Sequence, residues 1–218
     1  MKTDIMFLVD SSGSIGPENF GKMKTFMKNV LAKIQIGPDQ THIGVVQFSG
    51  HATEEFPLNR YFTQKEISDA IDRMSPISQN TLTGSALTFV DEYFTAPKGA
   101  RPQVKQFLLL ITDGEAQDDV RDPAKALRDK GVIIIAVGVY GSNRTQLEEI
   151  SGDGSLVFHV EKFDHLKAIE SKLIFHVCAL YGECPGYPSG LKGVSYGVSC
   201  WLYSGVVLWA WPLTGLCC

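Results

Sequence analysis

The chain has 218 residues, 44% hydrophobic and 20% charged, with a net charge of −4, which suits a soluble globular protein with one sizeable core and a small appendage. A small acidic excess without any Lys/Arg-rich run excludes nucleic acid or an acidic membrane surface as the expected partner. All five cysteines lie from Cys178 onward, so no disulfide framework staples the core, and no Cys-x-x-Cys metal spacing occurs.

The chain opens with Met-Lys-Thr-Asp and enters a strand almost at once, without the apolar stretch of a signal peptide. The expectation is a cytosolic protein or a piece of a longer secreted one. Ile5 to Val9 has the length and unbroken apolar character of a buried strand. It stops at Asp10-Ser-Ser-Gly-Ser14, and Pro17-Glu18 then open a helix. In an open α/β sheet, ligands bind beyond the carboxyl ends of the strands, so Asp10, Ser12 and Ser14 stand where a site belongs. Their hard oxygens suit Mg²⁺, Mn²⁺ or Ca²⁺ and argue against zinc or copper. Taken alone, the triplet reads equally well as a capped βα turn, with Ser14 or Asp10 satisfying free helix N–H groups.

Apolar residues from Phe20 to Ile34 recur at helical spacing toward a stop at Gly37-Pro38. Ile43 to Phe48 reads as a second strand, and Ala52 to Leu58 as its antiparallel edge partner. Thr63 and Glu66 form a capping box for a helix running to Met74. A polar loop over residues 75–84 precedes a helix from Ser85 to Phe94. Val104 to Thr112 is the most apolar strand, and it too ends at an acid, in Asp113-Gly-Glu115. A helix from Asp122 to Lys130, a strand from Val132 to Val139 and a short helix from Arg144 to Ile150 follow. The last elements are a strand from Leu156 to Val160 and a helix from Asp164 to Leu180. Alternating helices and continuously apolar strands predict an α/β, doubly wound, mainly parallel six-stranded sheet with one antiparallel edge strand and helices on both faces.

This domain is expected over residues 1–181, with residues 182–218 as a C-terminal extension that is apolar and uncharged from Gly193. The run Val198 to Trp211 is shorter than the about 20 residues of a spanning helix. No charge follows it to stop transfer. A membrane anchor or lipid-anchor signal is therefore the lesser reading, and an extension without a selected role the greater.

Asp10/Ser12/Ser14, Thr81/Thr83 and Asp113/Glu115 all fall at strand ends or adjoining loops. With the first strand beside the one ending at Asp113, the two aspartates face each other across a crevice. Such a pair repels unless a cation lies between them, and two carboxylates with several hydroxyls make a balanced shell for one divalent ion. Mg²⁺ takes few carboxylates, which leaves a position for an acid from outside.

Asp10-x-Ser12-x-Ser14, Thr81 in Asn-Thr-Leu-Thr-Gly and Asp113 in Ile-Thr-Asp-Gly-Glu together resemble the von Willebrand factor A domain and its metal-ion-dependent adhesion site, over roughly residues 4–181. Phe-Leu-Val-Asp-Ser-Ser-Gly-Ser-Ile-Gly and Gly-Val-Val-Gln-Phe-Ser are most similar to the A domains of type VI and fibril-associated collagens and matrilins. The resemblance implies that Asp10, Ser12, Ser14, Thr81 and Asp113 hold Mg²⁺ or Mn²⁺ directly or through water. It also implies a secreted, non-enzymatic adhesion module whose partner is a matrix or cell-surface protein presenting an acidic residue. The segment Gly138 to Thr145 leaves no room for the extra helix of collagen-binding integrin A domains.

Other residues carry less. Glu115 is either an outer acceptor at the site or a helix-start acid, and Thr83 braces its loop. Asp118 and Asp119 read as a solvated acidic edge. Asn143-Arg-Thr145 is a glycosylation sequon, and Cys178 and Cys184 either close a small loop or stay as thiols. Two alternatives stand beside adhesion. One is a metal-dependent hydrolase with Lys105 or Arg121 as phosphate-holding cation. The other is an intracellular scaffold of the same fold.

Overall fold

The computed structural model describes residues 2–181. The expected extension at 182–218, Cys184 of the candidate disulfide and the membrane alternative lie outside the described residues; Cys178 is buried.

Six strands of the described residues form one sheet: β1 (Thr3–Asp10), β2 (His42–Phe48), β3 (Ala52–Phe56), β4 (Lys105–Thr112), β5 (Ile133–Val139) and β6 (Val157–Val160). Their order is β3-β2-β1-β4-β5-β6, and every pair is parallel except β2 with β3. Among the described residues six α-helices surround the sheet: α1 (Gly16–Leu31), α2 (Gln64–Arg73), α3 (Thr83–Val90), α4 (Arg121–Asp129), α5 (Arg144–Ser151) and α6 (Leu166–Tyr181).

The residues of β1 are buried from end to end, which is why its sequence does not alternate. Ile5, Phe7 and Val9 share a core with Phe20, Met23, Ile67, Leu166 and Leu173 from α1, α2 and α6. Met6 and Leu8 share a second core with Leu87, Val90, Leu127 and Leu147 from α3, α4 and α5. The central strand is thereby clamped on both faces, and its carboxyl end is fixed in space.

Several boundaries differ from expectation for identifiable reasons. α1 stops at Leu31 and not at Gly37; the helical spacing runs on because Ile34 still reaches the core from turns held by Lys33 N–H to Val30 O (3.1 Å) and Ile34 N–H to Leu31 O (3.1 Å). The expected helix to Phe94 is α-helical only to Val90 and tightens into a 3₁₀ turn over Asp91–Phe94. β3 ends at Phe56, before Pro57, which has no N–H for the ladder. The Thr63/Glu66 capping box forms as read. Among the described residues no helix is long and apolar enough to cross a membrane.

Candidate metal centre

The carboxyl ends of β1 and β4 lie side by side, and the loops that leave them carry the predicted residues. Asp10, fully buried, accepts the Ser12 N–H at 2.7 Å on one oxygen and the Thr112 hydroxyl at 2.6 Å on the other. The hydroxyls of Ser12 and Ser14 are 3.1 Å apart, and Ser14 Oγ donates to Asp113 Oδ1 at 2.9 Å. Asp10, Ser12, Ser14 and Asp113 are thus joined in one chain of hydrogen bonds. The turn is not a helix cap: the residue preceding α1 is Ile15, with no side-chain cap, and Asp10 bonds the loop instead.

Thr81 enters from a third segment. Ser49, just past β2, bonds the segment on both sides of Thr81: Ser49 Oγ donates to Asn80 O at 2.9 Å, Gln79 N–H donates to Ser49 Oγ at 2.7 Å, and Leu82 N–H to Ser49 O at 3.0 Å. Buried Ser11 accepts Ser78 N–H on its carbonyl (2.8 Å) and Ile77 N–H on its hydroxyl (3.3 Å), so it staples that loop to the end of β1. On the far side Gln117 N–H donates to Thr81 O at 3.0 Å. A Cβ on Gly114 would lie 3.5 Å from Thr81 Oγ1, which places that hydroxyl against the loop carrying Asp113.

Both carboxyls sit uneasily. Burial pushes Asp10 up to about 6, against the pull of the Thr112 and Ser12 bonds, and the neighbouring Asp113 adds to the rise. Burial also raises Asp113, against the bond from Ser14. The donors that reach these two carboxylates are neutral hydroxyls and amides. That is the environment a cation relieves, and an all-oxygen donor set fits a divalent ion. Among the described residues no three of His, Cys, Asp and Glu gather into a metal cluster, so any such site depends on the hydroxyls.

The remaining candidates separate from this group. Glu115 is exposed and accepts from Asn143 Nδ2 at 3.0 Å. Asn143 caps α5 through Gln146 N–H at 3.3 Å, so the sequon residue is engaged on both side-chain atoms. Thr83 is buried as the first residue of α3. Only Tyr140 to Asn143 separate β5 from α5, and no extra helix intervenes. Lys105 stands at the opposite end of β4, bonded to Leu180 O, and Arg121 pairs with Glu149. Neither bears out a phosphate-holding role at the site.

Two positioning residues escaped the sequence reading. Thr112 holds Asp10, and a hydroxyl at the strand end next to a candidate ligand was the available sign. Asp118 is not a solvated edge residue: its Oδ1 accepts Gly84 N–H at 2.8 Å, and its Oδ2 accepts Ser85 N–H at 2.7 Å and the Ser85 hydroxyl at 2.9 Å, capping α3 from another loop. A Cβ on Gly84 would lie 1.8 Å from Asp119 O, so only glycine permits that approach.

A family profile described as the von Willebrand factor type A domain matches residues 4–172. The chain belongs to that family. The human collagen alpha-5(VI) chain is 74% identical to this A domain chain over 181 residues, covering 83% of it and 7% of the relative. Human matrilin-1 is 35% identical over 185 residues, covering 84% of this chain and 37% of matrilin-1. The chain therefore spans only about 7% of the length of the curated collagen VI relatives it matches first. A solved structure of proximal thread matrix protein 1 from the mussel byssus superimposes with a TM-score of 0.75 at 32% identity, over 81% of this chain and 46% of that one. Its metal-ion-dependent adhesion site is occupied by zinc. Oxygen-rich donors thus do not exclude zinc as firmly as ligand softness alone suggests, because divalent zinc outranks magnesium and manganese in intrinsic affinity for most sites.

Proposed function

We propose that this A domain, read as residues 1–181 with 182–218 as a separate extension, is a cation-dependent adhesion module of the extracellular matrix. Asp10, Ser12, Ser14, Thr81 and Asp113 would hold one divalent ion, Mg²⁺ or Mn²⁺. The ion supplies positive charge and an unfilled coordination position. A carboxylate from a matrix or cell-surface protein completes the shell, and the contact strengthens as it excludes water. The chain's own part is to hold the oxygens in place: Thr112 fixes Asp10, Ser14 bridges to Asp113, and Ser49 and Ser11 staple the loop that carries Thr81.

The observation that carries this reading is the convergence of two buried carboxylates, both raised by burial, on neutral donors only. The collagen VI and matrilin relatives support a secreted matrix protein and a non-catalytic role. Thr3 pairs with Lys105, which bonds Leu180 O, so both ends of the described domain lie at the pole away from the site.

The test is a binding screen against matrix proteins in Mg²⁺, Mn²⁺ or EDTA, with Asp113→Ala alongside. Metal-dependent capture by the wild type, lost in the variant and unaccompanied by phosphoester turnover, is the expected result. Capture indifferent to EDTA, or turnover that Asp113→Ala removes, overturns it.

A further inference from the structure

Asn143-Arg-Thr145 is the only Asn-x-Ser/Thr triplet in the sequence. It occupies the turn from β5 into α5, and its surroundings face solvent: Tyr140 is 77% exposed, and Gly141, Arg144 and Thr145 are exposed as well. The turn is held by specific bonds. Tyr140 sits at φ 52°, in the left-handed region, with its N–H donated to Val160 O at 2.9 Å, and Ser142 N–H donates to Val139 O at 3.2 Å. Asn143 itself is extended, at φ −82° and ψ 107°, and half-buried.

The two polar atoms of the Asn143 side chain have separate tasks, and an attached sugar is compatible with both. Oδ1 accepts Gln146 N–H at 3.3 Å and caps α5, and glycosylation makes no bond to that oxygen. Nδ2 carries two hydrogens, and among the described residues it makes one hydrogen bond, to Glu115 Oε1 at 3.0 Å. A sugar replaces one hydrogen and leaves the other for Glu115. The same turn borders the candidate metal centre. A Cβ on Gly141 would lie 3.4 Å from Asp113 O. Glu115, which Asn143 holds, follows Asp113 by two residues, about 7 Å of extended chain. A group on Nδ2 therefore stands on the rim that a partner's carboxylate must cross. The exposed Glu115 carboxylate suits such a group, because a sugar is neutral and offers hydroxyl donors.

We propose that Asn143 carries an N-linked oligosaccharide that narrows the approach to the candidate metal centre without touching the ion. Its attachment requires passage through the secretory pathway, in keeping with the matrix relatives; its effect on access rests on the metal-and-carboxylate reading above. In the transfer, Nδ2 loses one proton and bonds the anomeric carbon of a lipid-linked oligosaccharide. The C–O bond to the lipid diphosphate breaks, and the diphosphate leaves with the electron pair. Transfer precedes folding, while neither polar atom of Asn143 is yet bonded. A bulky surface sugar removes part of the orientations from which a partner can dock, so it slows association and leaves dissociation alone.

The experiment secretes the 218-residue chain from animal cells behind an added signal peptide. Peptide mass mapping is expected to find N-acetylhexosamine and hexose on the peptide that carries Asn143. Thr145→Ala should carry none, while keeping Asn143 and its two bonds. Capture is then read on a carboxymethyl-dextran surface in Mn²⁺ or EDTA. Thr145→Ala, and wild type trimmed enzymatically to a single N-acetylglucosamine, are expected to associate about two- to fivefold faster than the intact glycoform, in Mn²⁺ only and with equal dissociation rates. The Mn²⁺-induced rise in melting temperature is the same in all three, which separates access from metal loading. An unmodified Asn143 in the secreted wild type overturns the proposal and leaves the adhesion reading standing. An oligosaccharide with equal association rates, or one that changes the Mn²⁺ increment, overturns its role in access. Absence of Mn²⁺-dependent capture in every form overturns the adhesion reading and the effect on access with it, and the mass map alone then decides the modification.

Discussion

β1 carries a buried aspartate at each end, and the two are treated in opposite ways. Asp4 and Asp10 are both fully buried, six residues apart along the central strand. At the amino end, Asp4 accepts the Arg101 backbone N–H at 2.6 Å and its guanidinium Nε at 2.9 Å. The same guanidinium donates to Thr3 O at 2.7 Å and Gln40 O at 2.8 Å, so charge and donors are matched within the fold. At the carboxyl end, Asp10 receives only hydroxyl and amide donors, with Asp113 as a second acid nearby. A buried carboxylate is stable when its counter-charge is built in and costly when it is not. One pole is neutralised by the chain itself; at the other, two acids face neutral donors.

The comparison breaks first at Arg101. Arg101→Met removes the counter-charge and leaves Asp4 buried alone, which costs about 3–5 kcal/mol in denaturant unfolding. Asp4→Asn in that background is expected to recover much of the loss. A cost below about 1 kcal/mol for Arg101→Met means that the two poles are not electrostatically different.

Asp10 responds with the opposite sign. Its folded-state value of about 6 lies above the ordinary 3.8, so the metal-free fold binds the proton more tightly than the unfolded chain does. The contribution favours folding at low pH, declines as pH rises from about 4 through about 6, and levels off above that. The rise from 3.8 to about 6 corresponds to about 3 kcal/mol of penalty at pH 7. Asp10→Asn should therefore stabilise the EDTA-treated protein at pH 7 and make little difference near pH 4. Unfolding titrations of wild type and Asp10→Asn across that window check the sign.

Divalent metal should close the difference between the poles. At a concentration about 100-fold above the dissociation constant, Mn²⁺ or Mg²⁺ adds about 2.7 kcal/mol to folding. That gain shrinks as pH falls below about 6, since protons compete for the same oxygens. Asp10→Asn and Asp113→Ala should lose it, and Arg101→Met should keep the increment while starting from a lower baseline. Melting curves with and without metal give all four values.

What the chain discloses before it folds follows from the range of each interaction. Ile5 to Val9 and Val104 to Thr112 announce themselves because strands buried on both faces need no alternation. Thr63 and Glu66 are visible because a capping box is local. The candidate set was legible because the ends of β1 and β4 bear their oxygen donors in short motifs, Thr81 sits in a third such motif, and the doubly wound order brings β1 and β4 together. The supporting bonds were not: Arg101 lies 97 positions from Asp4, and Asp118 lies 34 positions from the helix start that it caps. Nothing local marks an acid in a polar loop as the cap of a distant helix. Tyr140 also escaped, because its left-handed backbone follows from bonds to Val160 and the β5–α5 turn, not from its own propensity.

The smallest expected effect tests whether distant capping matters to the two-acid pole. Asp118 holds the first turn of α3, directly after the segment that delivers Thr81, while Gln117 N–H holds Thr81 O itself. Asp118→Ala removes acceptors from two backbone N–H groups and should cost about 1 kcal/mol of stability, the usual magnitude for a lost cap. If the cap only closes a helix, the metal increment stays as in the wild type. If it also positions Thr81, apparent metal affinity falls several-fold, while a comparable loss at a remote cap, Thr63→Ala on α2, leaves affinity unchanged. Titrating Mn²⁺ into both variants separates the two outcomes, because both lose similar stability and only one borders the candidate ligands.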